Sequence, residues 1–327
     1  MRVVVTGGAG YIGSHAVVEL IEAGHTTVVI DNLGAGHAAA VRGCELVQAD
    51  LEDEEQVCRA LRASRAEAVM HFAASAYVGE SVEKPEAYYF NNVVNTLRLL
   101  RAARGAGVEL FVFSSSCAVY GVPARVPITE DFPIGPVNPY GRTKATVEGI
   151  LADYAAAYGL RYASLRYFNA AGAVPDGSLG EDHDPETHLI PAAIRAAMGR
   201  GGPLKVFGTD YPTPDGTCVR DYVHVLDIGG AHVLAMEALG DRSPLIYNLG
   251  TGRGHSVREV IDMVRDVTDM EVPEEAAGRR PGDPPELVGS SSKDEGYNYF
   301  GGSGGAGRPL AYQESPGVSA VECEEKG

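Results

Sequence analysis

The thirteen residues MRVVVTGGAGYIG at the start of the chain restrict what it can fold into more than any other stretch. Residues 2–6 read as a buried strand of β-branched residues, and residues 12–23 read as a helix. Between them Gly7, Gly10 and Gly13 recur at every third position. Gly7 suits the tight turn from strand to helix, and Gly10 lets backbone come close to a pyrophosphate. Gly13 lets the helix sit close to the sheet. With Tyr11 and Ile12 they open the helix, so its amide groups and positive end face a phosphate. A second apolar run, 26–30, ends in Asp31-Asn32. A carboxylate at that strand end accepts the hydroxyls of an adenosine ribose and repels a 2′-phosphate, which favours NAD over NADP. A glycine-rich turn alone is often only a turn. Strand, helix, second strand and terminal Asp in this order point to a dinucleotide.

Strand-like runs at 3–6, 27–30, 45–48, 68–72, 110–114 and 162–167 alternate with helical periodicity at 12–23, 54–61, 85–106 and 140–158. That alternation implies an α/β fold, a Rossmann-like, doubly wound parallel sheet with helices on both faces. Polar motifs collect at the ends of these strands, the edge where such sheets bind ligands: Asp31, Asp50, Phe72-Ala73-Ala74, Ser114 to Ser116, and Asn169. The pattern loosens over 172–188 and 208–217, which are rich in Gly, Pro and Asp. It tightens again into helices at 227–239 and 256–267 around a strand at 246–249. The expected organisation is a dinucleotide-binding domain over 1–172, with segments near 218–250 packing back onto it. A smaller C-terminal substrate-binding lobe covers 173–292. Residues 293–327 lack either periodicity and read as a linker-like, disordered tail.

With 327 residues, 45% of them hydrophobic, the chain can bury a large core. A net charge of −17 disfavours nucleic acid and anionic membranes as partners, so any anionic ligand must be held by local arginines and helix N-termini. The five cysteines are scattered without metal-ligand spacing, so no metal is expected and a reduced compartment fits best. No signal peptide and no membrane-spanning run is read, which makes the expected location cytoplasmic.

Tyr140 and Lys144 follow Asn138-Pro139 at a helix start, and a separation of four puts them on one helical face. A lysine ammonium beside a tyrosine phenol lowers the phenol pKa, and a charged nicotinamide acts in the same direction. Tyr140 is therefore the candidate general base, Lys144 its tuner and a ribose ligand. Ser114-Ser115-Ser116, at the end of a strand, can supply a hydroxyl that shares the proton. In an arbitrary protein such a Tyr-x-x-x-Lys pair is more often a surface pair. Here it follows a dinucleotide turn and a strand-end serine triplet.

Thr6-Gly7-Gly8-Ala9-Gly10-Tyr11-Ile12-Gly13, Tyr140-x-x-x-Lys144 and Arg166-Tyr167-Phe168-Asn169 resemble the extended short-chain dehydrogenase/reductases. Val78-Gly79-Glu80-Ser81, Tyr120-Gly121 and the motif from Asp210 through Arg220-Asp221-Tyr222 narrow the resemblance to UDP-sugar 4-epimerases, over roughly residues 1–290. The resemblance implies an isomerase with tightly bound NAD. It would interconvert UDP-glucose and UDP-galactose by oxidation at C4, rotation of the 4-keto sugar and re-reduction. It extends the NAD site to Leu51, Asn91, Ser114 and Phe168, beside the residues already named. For the UDP-sugar it implies Asn169, His188, Leu189, Phe207, Arg220, Tyr222, Arg280 and Asp283, with Ser116 and Tyr140 at the reacting carbon. It also implies a homodimer built on the helices at 85–106 and 140–158.

Several positions depart from the family pattern. His188 stands where a second Asn is common, Ala76 replaces a basic residue, and Leu287 occupies a sugar-pocket position that often carries Tyr or Cys. The chain has no Trp, and its tail has no counterpart to the family's final helical segment. Nucleotide-sugar 4,6-dehydratases of the same superfamily carry Thr-Asp-Glu at the strand end where this chain has Ser115-Ser116-Cys117, so the acid pair for elimination is missing. Decarboxylases, pentose epimerases and a non-catalytic NAD-binding protein remain as alternatives.

Overall fold

Strand β1 (Arg2–Thr6) places Val3 and Val5 on one face of the central sheet and Val4 on the other, and all three are buried. It is followed by α1 (Tyr11–Glu22), β2 (Thr26–Asp31), β3 (Glu45–Gln48), α2 (Glu54–Ala63) and β4 (Ala68–His71). Next come α3 (Val78–Glu83), α4 (Pro85–Tyr89), α5 (Asn95–Ala106), β5 (Leu110–Ser114), α6 (Pro139–Tyr158) and β6 (Arg161–Tyr167). The second half contains β7 (Asn169–Ala171), α7 (Leu189–Ala197), β8 (Leu204–Phe207), β9 (Val219–His224) and α8 (Val225–Ala238). It ends with β10 (Leu245–Leu249), β11 (Gly254–Ser256), α9 (Val257–Thr268), β12 (Glu274–Ala277) and β13 (Glu286–Leu287). The computed structural model describes residues 1–240, 242–280 and 282–290. The tail expected over 293–327 lies outside the described residues.

Seven parallel strands form the main sheet in the order β10-β6-β5-β4-β1-β2-β3. The doubly wound fold read from the alternation is therefore the one formed. From β1 the chain winds outward to β2 and β3, then crosses back to β4 on the other side. The carboxyl ends of β1 and β4 thus flank the switch point, where such sheets open a crevice for ligands. One face is covered by α1 and α8, through Ala16, Val17, Leu20, Ile228 and Met236. The other is covered by α2, α5 and α6, through Val57, Leu61, Leu99, Val147 and Leu151. β10 returns from the second half to complete the sheet beside β6.

The remaining strands form two small sheets. β9 pairs with β7 and β13 in parallel and with β11 antiparallel, while β8 pairs with β12. α7 and α9 close a separate small core with Leu204 and Val206. Among the described residues no helix is long and apolar enough to cross a membrane.

One expected helix differs. Apolar periodicity predicts a single helix over 85–106, but α4 and α5 are joined by a π-helical turn at Phe90–Val94. The cause is Asn92, which turns inward. Its Oδ1 accepts from the Ser75 amide at 2.8 Å, and its Nδ2 donates to the Ser75 carbonyl at 3.0 Å and to Thr143 Oγ1 at 3.1 Å. A π-turn inserts the extra residue that lets one polar side chain point at the core without breaking the helix.

The β1–α1 turn tolerates no side chain at two of its glycines. Gly7 has φ +75, and a Cβ there would lie 2.5 Å from the Ala73 amide nitrogen. A Cβ on Gly13 would sit 2.1 Å from the Gly7 carbonyl oxygen. Backbone cannot rotate away, so Gly13→Ala is expected to destabilise the protein by about 1–3 kcal/mol in urea unfolding. Gly149, inside α6, is the contrast, because a Cβ added there would meet nothing within 4 Å. Gly149→Ala is expected to stabilise by about 0.5–1 kcal/mol. Equal effects at the two positions would contradict the packing assigned to the turn.

Candidate active site

The glycine turn opens α1 on Gly10, whose missing side chain leaves the helix start without a side-chain cap, and no acidic residue lies in the first turn. A Cβ at Gly10 would meet only the Gly7 oxygen, at 3.4 Å, so this side of the turn is open to a ligand. Asp31 is buried at the end of β2. Its Oδ2 accepts from the Ala9 amide at 3.0 Å and its Oδ1 from the Leu33 amide at 2.8 Å. The carboxylate is thus fixed beside the turn, with lone pairs remaining for ribose hydroxyls. Asn32 Nδ2 donates to Asp50 Oδ2 at 2.7 Å, joining the ends of β2 and β3. Leu51 packs against the core beneath. The amides of Phe72 and Ala73 both donate to the Thr6 carbonyl, which draws the end of β4 to the turn. Asn91 Nδ2 reaches Ser75 Oγ at 3.1 Å. These residues fit a dinucleotide: close backbone, an uncapped helix start, and a buried carboxylate where an adenosine ribose belongs.

Asn138 caps α6 by accepting from the Gly141 amide at 2.8 Å, with Pro139 at the first helical position, and this sets the angle at which Tyr140 and Lys144 enter the site. Both are buried. Lys144 Nζ donates to the Ser114 carbonyl at 2.8 Å and lies 4.9 Å from the centre of the Phe113 ring. It is 5.8 Å from the centre of the Tyr140 ring. Ser114 Oγ pairs with Tyr167 Oη at 3.0 Å, and Ser116 Oγ accepts from the Ala118 amide at 3.2 Å. Burial raises the Tyr140 phenol well above its ordinary value, with Tyr167 and Cys117 adding to the rise, while hydrogen bonding with Ser116 opposes it. The phenol is thus raised where a lowering by Lys144 was expected, and the opposing influence comes from Ser116. Burial also pushes the Lys144 ammonium down to about 7, with Glu148 acting in the opposite direction. A positive nicotinamide beside the phenol acts in the lowering direction that burial opposes.

Behind the serines lies a network that sequence reasoning did not single out. Ser115 Oγ donates to Glu148 Oε1 at 2.6 Å. Arg166 meets Glu148 with two hydrogen bonds, 2.9 and 2.6 Å, and reaches Tyr120 Oη at 2.8 Å. Tyr120 in turn donates to Asn248 Oδ1 at 2.7 Å on β10. Glu148 lies four residues after Lys144, the same helical spacing that linked Tyr140 to Lys144, and that was the available signal.

The second half brings several expected sugar-site residues to β9. Tyr222 is in register with Asn169 on β7, and Arg220 with Leu287 on β13. Arg220 forms an ion pair with Asp283 and donates to the Pro284 carbonyl at 2.9 Å. Its charge also reaches Cys117 beside Ser116, so this strand faces the serine end of β5. Arg280 stacks on Phe207, 4.0 Å from the ring centre. Phe168 is buried against Gly250 and Gly289, where no side chain would fit. Leu189 begins α7, and His188 before it turns Nδ1 to Glu181 at 2.5 Å. Asp221, quoted in the motif but given no role, is fully buried and receives amides from Thr251, Gly252 and Gly289, which ties β9 to the loop before β11 and to the segment after β13.

A buried lysine with a lowered pKa is a stability cost. The folded state gives up its proton more readily than the unfolded chain, so the penalty is complete below about 7. It fades as pH rises toward the ordinary lysine value. In protein stripped of nucleotide, Lys144→Met is expected to raise stability at pH 6.5 by about 1–4 kcal/mol. The gain should shrink toward pH 10. Thermal unfolding across that range tests it, and a gain that grows with pH would refute it.

The sequence matches the profile of the NAD dependent epimerase/dehydratase family over residues 3–250. It is 52% identical to the UDP-glucose 4-epimerase of Azospirillum brasilense over 295 residues, 89% of this chain and 84% of that one. The crystal structure of UDP-glucose 4-epimerase from Brucella ovis in complex with NAD is 53% identical, with a TM-score of 0.87, covering 90% of this chain and 91% of that one. The enzyme from Bifidobacterium longum in complex with NAD+ and UDP is 38% identical with a TM-score of 0.87, covering 90% and 92%. Fold, glycine turn and matched residues agree, and the chain belongs to the NAD dependent epimerase/dehydratase family.

Proposed function

We propose that this chain is a UDP-glucose 4-epimerase, interconverting UDP-glucose and UDP-galactose with NAD as its cofactor. The observation that carries the reading is the convergence of Tyr140 and Lys144 on the serine end of β5, two strands along the same sheet edge from the glycine turn. NAD, when bound, supplies the acceptor and then the donor of the C4 hydride. Tyr140 takes the proton of the sugar 4-hydroxyl as that hydride leaves, and returns it after the 4-keto sugar has turned over. Ser116 hydrogen-bonds the same oxygen, and Lys144 holds the nicotinamide ribose. Arg220 and Arg280 hold the diphosphate, the first by exchanging its present partner Asp283 for phosphate oxygens. Asp283 is then free for the uridine ribose, with Asn169, Leu189, Phe207 and Tyr222 lining the pocket.

Elimination chemistry is disfavoured by Cys117. Burial pushes its thiol up to about 12, so it supplies no acid where a dehydratase carries its carboxylates. Tyr140→Phe removes one oxygen, and is expected to keep the fold and bound NAD while losing about 10²–10⁴-fold in turnover. UDP-galactose deuterated at C4 should yield UDP-glucose still deuterated at C4. Label wash-out to solvent, or full activity in Tyr140→Phe, would falsify the mechanism.

The homodimer is part of the same proposal. Val82, Tyr89 and Phe90 on and beside α3 and α4, and Tyr158 at the end of α6, expose large apolar side chains close to the two helices expected to pair. Burying such a patch across a twofold axis removes it from water. Light scattering at micromolar concentration is expected to give twice the chain mass, and a monomer mass would overturn the assembly.

A further inference from the structure

The segment between β7 and α7 carries the sequence Glu181-Asp182-His183-Asp184-Pro185-Glu186-Thr187-His188, in which Glu, His, Glu and His recur at short intervals. Folding brings the donor atoms of Glu181, His183, Glu186 and His188 within 4.8 Å of one another. The separations are 3.2 Å from His183 Nδ1 to Glu181 Oε1 and 3.8 Å to Glu186 Oε2. From His188 Nδ1 they are 2.5 Å to Glu181 Oε1 and 3.6 Å to Glu186 Oε1. Four donors around a tetrahedral zinc, with bonds of about 2.0–2.1 Å, stand about 3.3 Å apart. The cluster is thus near the size of a first-row metal site.

Two further observations concern what the cluster lacks. Both carboxylates are largely buried, with side chains 9% and 5% exposed. Their ion-pair partners among the described residues are the two histidines alone. His183 Nδ1 is buried with no hydrogen bond, although a carboxylate oxygen lies 3.2 Å away. That nitrogen points into the pair of carboxylates, and pairing with Glu181 and the charge of both raise the imidazole above its ordinary value, so the position favours a cation. Two adjacent buried carboxylates also repel each other unless a cation lies between them.

We propose that Glu181, His183, Glu186 and His188 bind one divalent transition-metal ion, with zinc as the fitting case. Two imidazoles and two carboxylate oxygens suit zinc better than the oxygen-only preferences of calcium and magnesium. Four protein ligands leave no open coordination position, which makes the site structural rather than catalytic. Its place supports that role. The Tyr11 ring meets His183 edge-on with centroids 6.2 Å apart, and Tyr11 Oη donates to the Gly172 carbonyl at 2.6 Å. The Tyr77 ring lies 6.1 Å from His183 and 6.2 Å from His188. A metal here would fasten the 172–188 segment to the glycine turn and to the loop after β4. It reassigns His188, which the resemblance gave to the UDP-sugar, from that pocket to the metal.

The test uses the full-length chain without a histidine tag, stripped with chelator and dialysed against zinc buffered at micromolar free concentration. After desalting, plasma emission is expected to find about one zinc per chain. The His183→Gln and Glu186→Gln variants are expected to retain at least about tenfold less. Zinc should raise the thermal midpoint of the wild-type protein by several degrees, reversibly on chelation. Cobalt substitution of the wild-type chain keeps the test decisive if either variant fails to fold: it should give the intense visible bands of four-coordinate cobalt. No zinc uptake by the wild type would mean that protonated histidines balance the carboxylates, and the proposal fails. It fails equally if folded variants retain as much zinc as the wild type, or if cobalt shows only the weak six-coordinate spectrum.

Discussion

Arg166 leaves β6 inside the protein and meets Glu148 on α6 through two parallel hydrogen bonds, both side chains being less than a tenth exposed. A buried guanidinium–carboxylate pair is not a cheap source of stability, because desolvation consumes much of what the attraction returns. Its value here lies in direction. The planar fork accepts only one approach of α6 to the sheet. Ser115 uses the same carboxylate and Tyr120 the same guanidinium, so the end of β5, the following loop and β10 are located by one pair of charges. Every group assigned to the chemistry hangs from that frame. Tyr140 and Lys144 project from α6 in the two turns before Glu148, while Ser114 and Ser116 flank the serine that Glu148 holds. Replacing the pair with apolar residues would keep α6 packed through Val147 and Leu151, but it would remove the charged contact that ties the helix to β6.

The site is an exercise in concentrating charge inside an acidic protein. With a net charge of −17 the long-range field repels a nucleotide sugar. Binding must then come from cations that are already desolvated and aimed. Arg220 on β9 is nearly buried and held by Asp283, and Lys144 is buried with its ammonium on a backbone carbonyl. Both carry a cost until an anion or a polar ligand reaches them. That arrangement makes the affinity local, and it ties the stability of the lobe to occupancy of the site.

The doubly wound sheet was legible because its strands are buried on both faces and its helices follow at regular distances. Periodicity and the glycine turn carry that information without reference to the rest of the chain. The small lobe was less so. β7, β11 and β13 have three, three and two residues, too short for any period, and they exist because β9 offers edges to pair with. The π-turn was hidden for a related reason: Asn92 looks like a solvent-facing position until Ser75 and Thr143 arrive opposite it. Among the site residues, Tyr140 and Lys144 were visible as a pair on one helix. Glu148 was not, since its role depends on an arginine from a different strand. The Glu-His cluster was hidden because carboxylates and imidazoles in a polar loop look like solvated side chains until folding brings their donor atoms together.

Besides the direct passage of β6 into β7, a loop segment joins the glycine turn to the second half of the chain. Tyr11 sits in the first turn of α1, and its hydroxyl reaches across to the carbonyl of Gly172. His37, in the loop after β2, faces the Asp182 carboxylate at 3.3 Å. His188 then passes directly into α7, whose first residue is Leu189. The 172–188 segment therefore touches the glycine turn through Tyr11 and leads into the start of α7. The His37 pair is well exposed, with side chains 58% and 81% accessible, so it contributes little by itself. The Tyr11 bond and the rings of Tyr77, His183 and His188 add contacts along the same segment. The segment thus runs from the glycine turn, where the dinucleotide is expected, to His188 and Leu189, expected at the nucleotide sugar.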